Sequence, residues 1–203
     1  MSPRRPGILL DRDGTIIVDH GYVGSVDRVE FIDGAAEAIA RFNRAGIPVA
    51  VVTNQAGVAR GLYGLDDVRK VHEYMAGRLA EHGAHIDLFT YCPYHPDGVV
   101  EAFARTSDDR KPGPGLARAA QAALSLDLAA SWVVGDRPED LGLARAIGAA
   151  AIYLGAEVPD GQHGQHGQHG QHGQHGQHGE HGRVWSYPSL AAAASFILER
   201  IAT

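Results

Sequence analysis

Four short polar stretches carry the side chains that could do chemistry. The first, Asp11-Arg12-Asp13-Gly14-Thr15, sets two carboxylates two residues apart behind a short apolar run. A carboxylate in the first position can attack phosphorus. One in the second can protonate a leaving oxygen and later deprotonate water. Crowded like charges raise the proton affinity of one member, which suits an acid. Both also suit Mg²⁺, which prefers oxygen ligands. Taken alone, the stretch could still be a turn with capping aspartates, the lesser reading. The other three weigh against that reading. Thr53-Asn54-Gln55 offers a hydroxyl and two amides, Arg110-Lys111-Pro112 offers cations, and Gly135-Asp136-x-x-x-Asp140 offers further carboxylates. Phosphoryl transfer needs a nucleophile, a metal, a cation and neutral donors around spread negative charge. Asp140 has two open readings, a metal ligand or a cap for the helix that follows.

These stretches need elements to hold them in register. Residues 7–10 (GILL), 47–53 (IPVAVVT), 86–92 (IDLFTYC), 131–136 (SWVVGD) and 150–154 (AAIYL) read as strands. Between them lie helical patterns. Residues 35–46 place Ala36, Ile39, Ala40 and Phe42 near one face and stop at Gly46. Residues 65–83 repeat Val68, Val71, Met75 and Leu79 at three- and four-residue spacing. Residues 113–126 open at Pro114, and 138–148 close at Gly148. The strands are continuously apolar rather than alternating, which predicts a doubly wound parallel α/β sheet covered on both faces. Asp11, Thr53 and Asp136 each follow a strand, and ligands of such sheets bind outside the carboxyl ends. Trp132 and Phe89 are expected in the core, and His72, His82 and His85 on the surface.

The bulk composition narrows the class. The chain has 203 residues and a net charge of −6, with 44% hydrophobic residues. That suits one catalytic domain and gives no basic footprint for nucleic acid or a membrane surface. The single cysteine, Cys92, excludes an internal disulfide and points to the cytoplasm. No run is apolar enough for a secretory leader or a membrane span. From Gly161 to Gly182 the chain repeats Gly-Gln-His six times and then Gly-Glu-His. Without an apolar residue this tract has nothing to bury, so a disordered surface insertion at 161–182 is expected. Its histidines leave open a metal-binding role, the alternative from a different functional class. The strand-like VWSYP and a helix over 189–202 follow it.

The segments DRDGTIIVDHGYV, FIDGA, VVTNQAGVARG, YCPYHPDG, RKPGPG and VGDRPED resemble the haloacid dehalogenase superfamily of aspartate-nucleophile phosphatases. Within it they resemble the D-glycero-D-manno-heptose 1,7-bisphosphate 7-phosphatase family, which is grouped with histidinol-phosphate phosphatases. The resemblance runs from about Ile8 to Leu154. It implies a Rossmann-like fold without a cap domain, and a Mg²⁺-dependent phosphatase acting on a sugar phosphate through a phosphoaspartate. It implies Asp11 as nucleophile, Asp13 as acid/base, and Thr53 and Lys111 as holders of the phosphoryl group. Mg²⁺ would fall to Asp11, Asp136 and the backbone carbonyl of Asp13. Substrate recognition would fall to Asp19, His20, Gly21, Tyr22, Asn54, Gln55, Arg110 and Arg137. Position 137 is arginine where the family is associated with lysine, so the cation is kept and its fork geometry differs. Arg60 either reaches substrate or is a solvated loop residue.

The family also carries a zinc loop patterned Cys-x-His and then Cys-x-Cys before Arg-Lys-Pro. Here the frame reads Cys92-x-Tyr94 and Ser107-x-Asp109, with His95 one residue out of register. Structural zinc favours four Cys or His ligands, so loss of the Zn²⁺ is expected, with Tyr94 filling its place. An uncapped single domain is expected to be a monomer. Histidinol-phosphate phosphatase, or a phosphatase of another small phosphomonoester, is the enzymatic alternative.

Overall fold

A computed structural model describes residues 3–159 and 184–202. The Gly-Gln-His tract at 161–182 lies outside the described residues. Six parallel strands form one sheet: β1 (Ile8–Leu10), β2 (Val49–Asn54), β3 (Leu88–Cys92), β4 (Trp132–Gly135), β5 (Ala150–Leu154) and β6 (Val184–Tyr187). Their order is β3-β2-β1-β4-β5-β6, the doubly wound order in which the chain reverses direction across the sheet between β1 and β4. The register sets Leu10 beside Val51 on one side and Val134 on the other, so the ends of β1, β2 and β4 come out level.

Alternate strand residues face opposite helix layers, as a period of two requires. Ile8, Leu10, Val49, Val51, Trp132 and Val134 pack under α1 (Ala35–Arg44), α2 (Leu65–Glu81) and α5 (Leu190–Ile201). Leu9, Ala50, Val52, Val133 and Ala151 pack under α3 (Gly115–Leu124) and α4 (Pro138–Ile147). The apolar stripes expected on α1 and α2 are buried in full. Gly148 closes α4 in the left-handed region at φ 72°, where a side chain would be strained. The C-terminal strand-like stretch is β6, which pairs parallel with β5. Among the described residues, three 3₁₀ turns, at Val26–Arg28, Glu101–Phe103 and Leu128–Ala130, lie outside the strands and helices expected from the sequence.

Two expectations need correction. His72 is buried, stacked on Phe89 at 4.7 Å and edge-on to Tyr91 at 5.7 Å; the inner face of α2 is wide enough to take it in. Phe89 is only partly buried, packed at the margin of the core on the outermost strand. His82 and His85 are exposed, as expected. Between β1 and β2 the chain has room only for loops and α1. Between β2 and α3 it has α2, β3 and loops. No cap domain is inserted at either point. No helix among the described residues is long and apolar enough to cross a membrane.

Candidate active site

The level ends of β1, β2 and β4 open into a cleft of about 620 Å³ lined by Asp11, Asp13, Thr53, Gln55, Lys111 and Arg137, among others. Asp11 follows β1 directly, and its backbone N–H donates to Val134 O of β4 at 2.9 Å. Its Oδ1 accepts the Arg12 N–H at 2.7 Å and lies 2.9 Å from Lys111 Nζ. Lys111 is fully buried between two carboxylates, with Asp140 Oδ1 at 2.6 Å. Burial alone would favour the neutral amine. Asp11 and Asp140 outweigh it and hold the ammonium well above the ordinary lysine range.

Asp13 sits in a frame of donors. Arg12, wholly buried, grips both its oxygens, Nε to Oδ2 at 3.0 Å and Nη2 to Oδ1 at 2.9 Å. Gln55 Nε2 donates to the same Oδ2 at 2.9 Å and to Thr53 Oγ1 at 3.0 Å. Tyr63 in turn donates its hydroxyl to Gln55 Oε1 at 2.8 Å, which fixes which way the amide faces. Burial, followed by the charge of Asp11, pushes the Asp13 carboxyl up despite the pull of Arg12.

Asp11, Asp136 and Asp140 bring ligand oxygens within 4.8 Å of one another. Burial and the Asp11 charge push Asp136 up to about 6, and its buried Oδ1 has no hydrogen-bond partner. A crowded, under-compensated set of hard oxygens is what a divalent cation such as Mg²⁺ satisfies. Gly14 makes the crowding possible. It has φ +78°, and a Cβ there would lie 2.2 Å from Asp136 Oδ2. Asp140 resolves its two readings largely as an orienting residue. Its Oδ2 accepts the Arg137 N–H at 3.0 Å, capping α4, while its Oδ1 is taken by Lys111.

A family model described as HAD-hydrolase-like matches residues 109–172. The D-glycero-beta-D-manno-heptose-1,7-bisphosphate 7-phosphatase of Escherichia coli K12 is 45% identical over 146 residues, which cover 72% of this chain and 76% of that one. Its namesake from Yersinia pestis is 44% identical over 146 residues, covering 72% and 78%. The chain belongs to this heptose-bisphosphate phosphatase family. Solved structures agree. A D,D-heptose 1,7-bisphosphate phosphatase from B. bronchiseptica, complexed with magnesium and phosphate, superposes with TM-score 0.74 at 30% identity, covering 96% of this chain and 98% of that one. A HAD-like phosphatase from Mesorhizobium loti superposes with TM-score 0.83 at 30% identity, covering 98% and 87%.

Against the residues expected of a heptose-bisphosphate phosphatase, the cleft gathers Asp11, Asp13, Asp19, Gly21, Tyr22, Thr53, Asn54, Gln55, Arg110, Lys111 and Arg137. Asp136 stands beside Asp11 in the carboxylate group but is not among the lining residues, and neither is His20. The His20 ring meets the Glu30 carboxylate at 2.8 Å. Asn54 lines it but spends its amide on the Lys111 backbone, accepting from N at 3.0 Å and donating to O at 3.2 Å. Arg137 Nη2 reaches across to Asp19 Oδ2 at 2.6 Å, which with the Gly21 N–H keeps that carboxyl low despite partial burial.

Sequence reasoning missed Arg12, Tyr63 and Arg28. The first two frame Asp13. Arg28 donates to the carbonyls of His20, Gly21 and Tyr22 and holds that loop. The signal for Arg12 was its place between two carboxylates, which give a buried guanidinium its partner.

At the zinc-pattern positions, Cys92 is buried, and its thiol is pushed up chiefly by that burial. The Arg105 guanidinium lies 3.8 Å over the Tyr94 ring, and Ser107 Oγ accepts the Asp109 N–H at 3.2 Å. The Arg105–Tyr94 contact and the His95 N–H, which donates to Phe103 O at 3.2 Å, tie the two sides of this loop together.

Proposed function

We propose that this chain is a Mg²⁺-dependent phosphatase that removes the C7 phosphate of D-glycero-D-manno-heptose 1,7-bisphosphate, working as one catalytic domain and as a monomer in the cytoplasm. The observation that carries the reading is the buried Asp11–Lys111–Asp140 chain set beside the donor-framed Asp13. The curated relatives bear the name of that activity.

In this reading one oxygen of the Asp11 carboxylate attacks the C7 phosphorus. The bond from phosphorus to the sugar oxygen breaks, and that oxygen takes the proton of Asp13. The result is a phosphoaspartate and heptose 1-phosphate. Asp13, now a carboxylate held by Arg12 and Gln55, takes a proton from water, whose oxygen attacks the same phosphorus. Inorganic phosphate leaves and Asp11 is restored. Lys111 and Thr53 hold the phosphoryl oxygens throughout. Asp11, Asp136 and the Asp13 carbonyl would hold Mg²⁺, which supplies charge neutralisation at the phosphoryl oxygens.

Asp11→Asn keeps the shape and removes the nucleophile. It should abolish phosphate release from the heptose bisphosphate while leaving the circular dichroism and melting curve intact. An active, folded Asp11→Asn enzyme would refute the mechanism. Parallel assays with histidinol phosphate separate the substrate assignment from its nearest rival.

A further inference from the structure

Gln55 stands where three side chains meet, and every polar atom of its amide is committed. The side chain is buried, and the backbone N–H donates to Cys92 O at 2.8 Å, which pins the residue to the end of β3. The amide nitrogen spends its two N–H bonds on Asp13 Oδ2 at 2.9 Å and Thr53 Oγ1 at 3.0 Å. The amide oxygen accepts the Tyr63 hydroxyl at 2.8 Å. The two ends of an amide have nearly the same shape, so hydrogen bonds decide which way it faces. A phenol is a better donor than acceptor, so Tyr63 holds the amide oxygen on its own side and turns the nitrogen toward Asp13.

Tyr63 is itself fixed. Its ring is wedged between Gly24 and Gly57, where a Cβ on either would overlap it. The neighbouring Leu62 N–H donates to Gly57 O at 2.9 Å. Burial pushes the Tyr63 hydroxyl up to about 12, so it keeps its proton at neutral pH.

The two oxygens of Asp13 are then unequal. Each carboxylate oxygen offers about two lone-pair sites. Oδ2 takes Arg12 Nε at 3.0 Å and Gln55 Nε2 at 2.9 Å, which fills both. Oδ1 takes Arg12 Nη2 at 2.9 Å and, among the described residues, no other donor. With the amide reversed, its oxygen would face Oδ2 and invite the proton there, between two protein groups.

We propose that Tyr63 is a positioning residue for the phosphatase reaction: through Gln55 it closes Asp13 Oδ2 and makes Oδ1 the oxygen that passes the proton. As the phosphorus–oxygen bond breaks, its electron pair stays on the sugar oxygen. The proton on Oδ1 moves to that oxygen, and Asp13 becomes a carboxylate. The inference rests on the phosphatase reading, and in it Gln55 serves the acid rather than the sugar.

Two esters that differ in their need for a proton provide the test. p-Nitrophenolate leaves readily without one, whereas the alkoxide of a sugar phosphate does not. In Tyr63→Phe, which keeps the ring, kcat/KM for the heptose bisphosphate should fall about tenfold more than kcat/KM for p-nitrophenyl phosphate. That is part of the roughly 10²–10⁴ that general acid catalysis supplies. Any slackening of Thr53 weighs on both esters alike, so the ratio isolates Asp13. Gln55→Met should show the same selective fall, and the double variant no more than the larger single one, as expected of groups acting in one chain. An equal fall on both esters, no fall, or effects that multiply in the double variant overturns the inference. If the wild type hydrolyses histidinol phosphate and not the heptose bisphosphate, the named substrate fails instead, and the same ratio is read on histidinol phosphate, also an alkyl ester. A wild type that hydrolyses no alkyl phosphate refutes the phosphatase reading, and the inference with it.

Discussion

His72 has its imidazole Nε2 buried without a partner between two aromatic rings. Burial, with a smaller contribution from Arg12, lowers its pKa from 6.5 to about 3. In the unfolded chain the ring takes a proton near 6.5, while in the folded chain it resists one down to about 3. The unfolded state therefore binds more protons in that window, and stability is lost as the pH falls through it. At pH 5 the loss from this one group should be about 2 kcal/mol. Urea denaturation at pH 7 and pH 5 checks this. His72→Phe, which keeps the stack on Phe89, should flatten the difference by that amount, and an unchanged pH dependence would rule the assignment out. The sequence of α2 pulls His72 both ways. Its spacing on α2 matches the buried stripe, one residue after Val71, but its polarity argued for solvent. Only the neighbouring aromatic rings of β3, far away in sequence, tip the balance toward burial. Arg12 is the same case in stronger form, a charge whose burial depends on Asp13 and the Val23 carbonyl, which accepts from its Nη2 at 2.7 Å.

Elements with a strong period were readable, and the devices that join them were not. β1, β2 and β4 are buried on both faces, so their sequences are unbroken apolar runs, and the polar residue that ends each run marks the catalytic edge. Strand and helix ends moved by a residue or more, because ends are set by hydrogen bonds to other segments. The Asn54–Lys111 clamp shows the limit. From sequence Asn54 suggested a donor to substrate, whereas its amide joins the end of β2 to the segment before α3 through two hydrogen bonds. Asn54→Ala should therefore act by loosening Lys111. We expect kcat to fall about tenfold, corresponding to about 1.4 kcal/mol, with a smaller change in KM. Steady-state kinetics on the heptose bisphosphate decide it: a pure KM effect would return Asn54 to substrate binding.

Taken whole, the molecule keeps its chemistry at one edge of the sheet and its low-complexity tract between the last two strands. β5 ends at the catalytic edge after Leu154, and β6 begins at the opposite edge with Val184, paired with Ala151. A parallel connection of this kind needs about a dozen residues. The 29 residues between Leu154 and Val184, less the 15 of 161–175, leave 14. Deleting 161–175 should thus change kcat/KM by less than about twofold, since the cost of loop closure varies slowly with length. It should also remove most of any Ni²⁺ or Zn²⁺ uptake measured by equilibrium dialysis. Loss of phosphatase activity on this deletion would tie the tract to the enzyme. The order β3-β2-β1-β4-β5-β6 has a practical side as well. The chain leaves and rejoins the sheet at two points about 11 Å apart by strand geometry, beyond β4 from the cleft. A folded guest domain with neighbouring termini, such as a fluorescent reporter, could be grafted between them, so the same gap in the fold is a ready-made docking port for protein engineering.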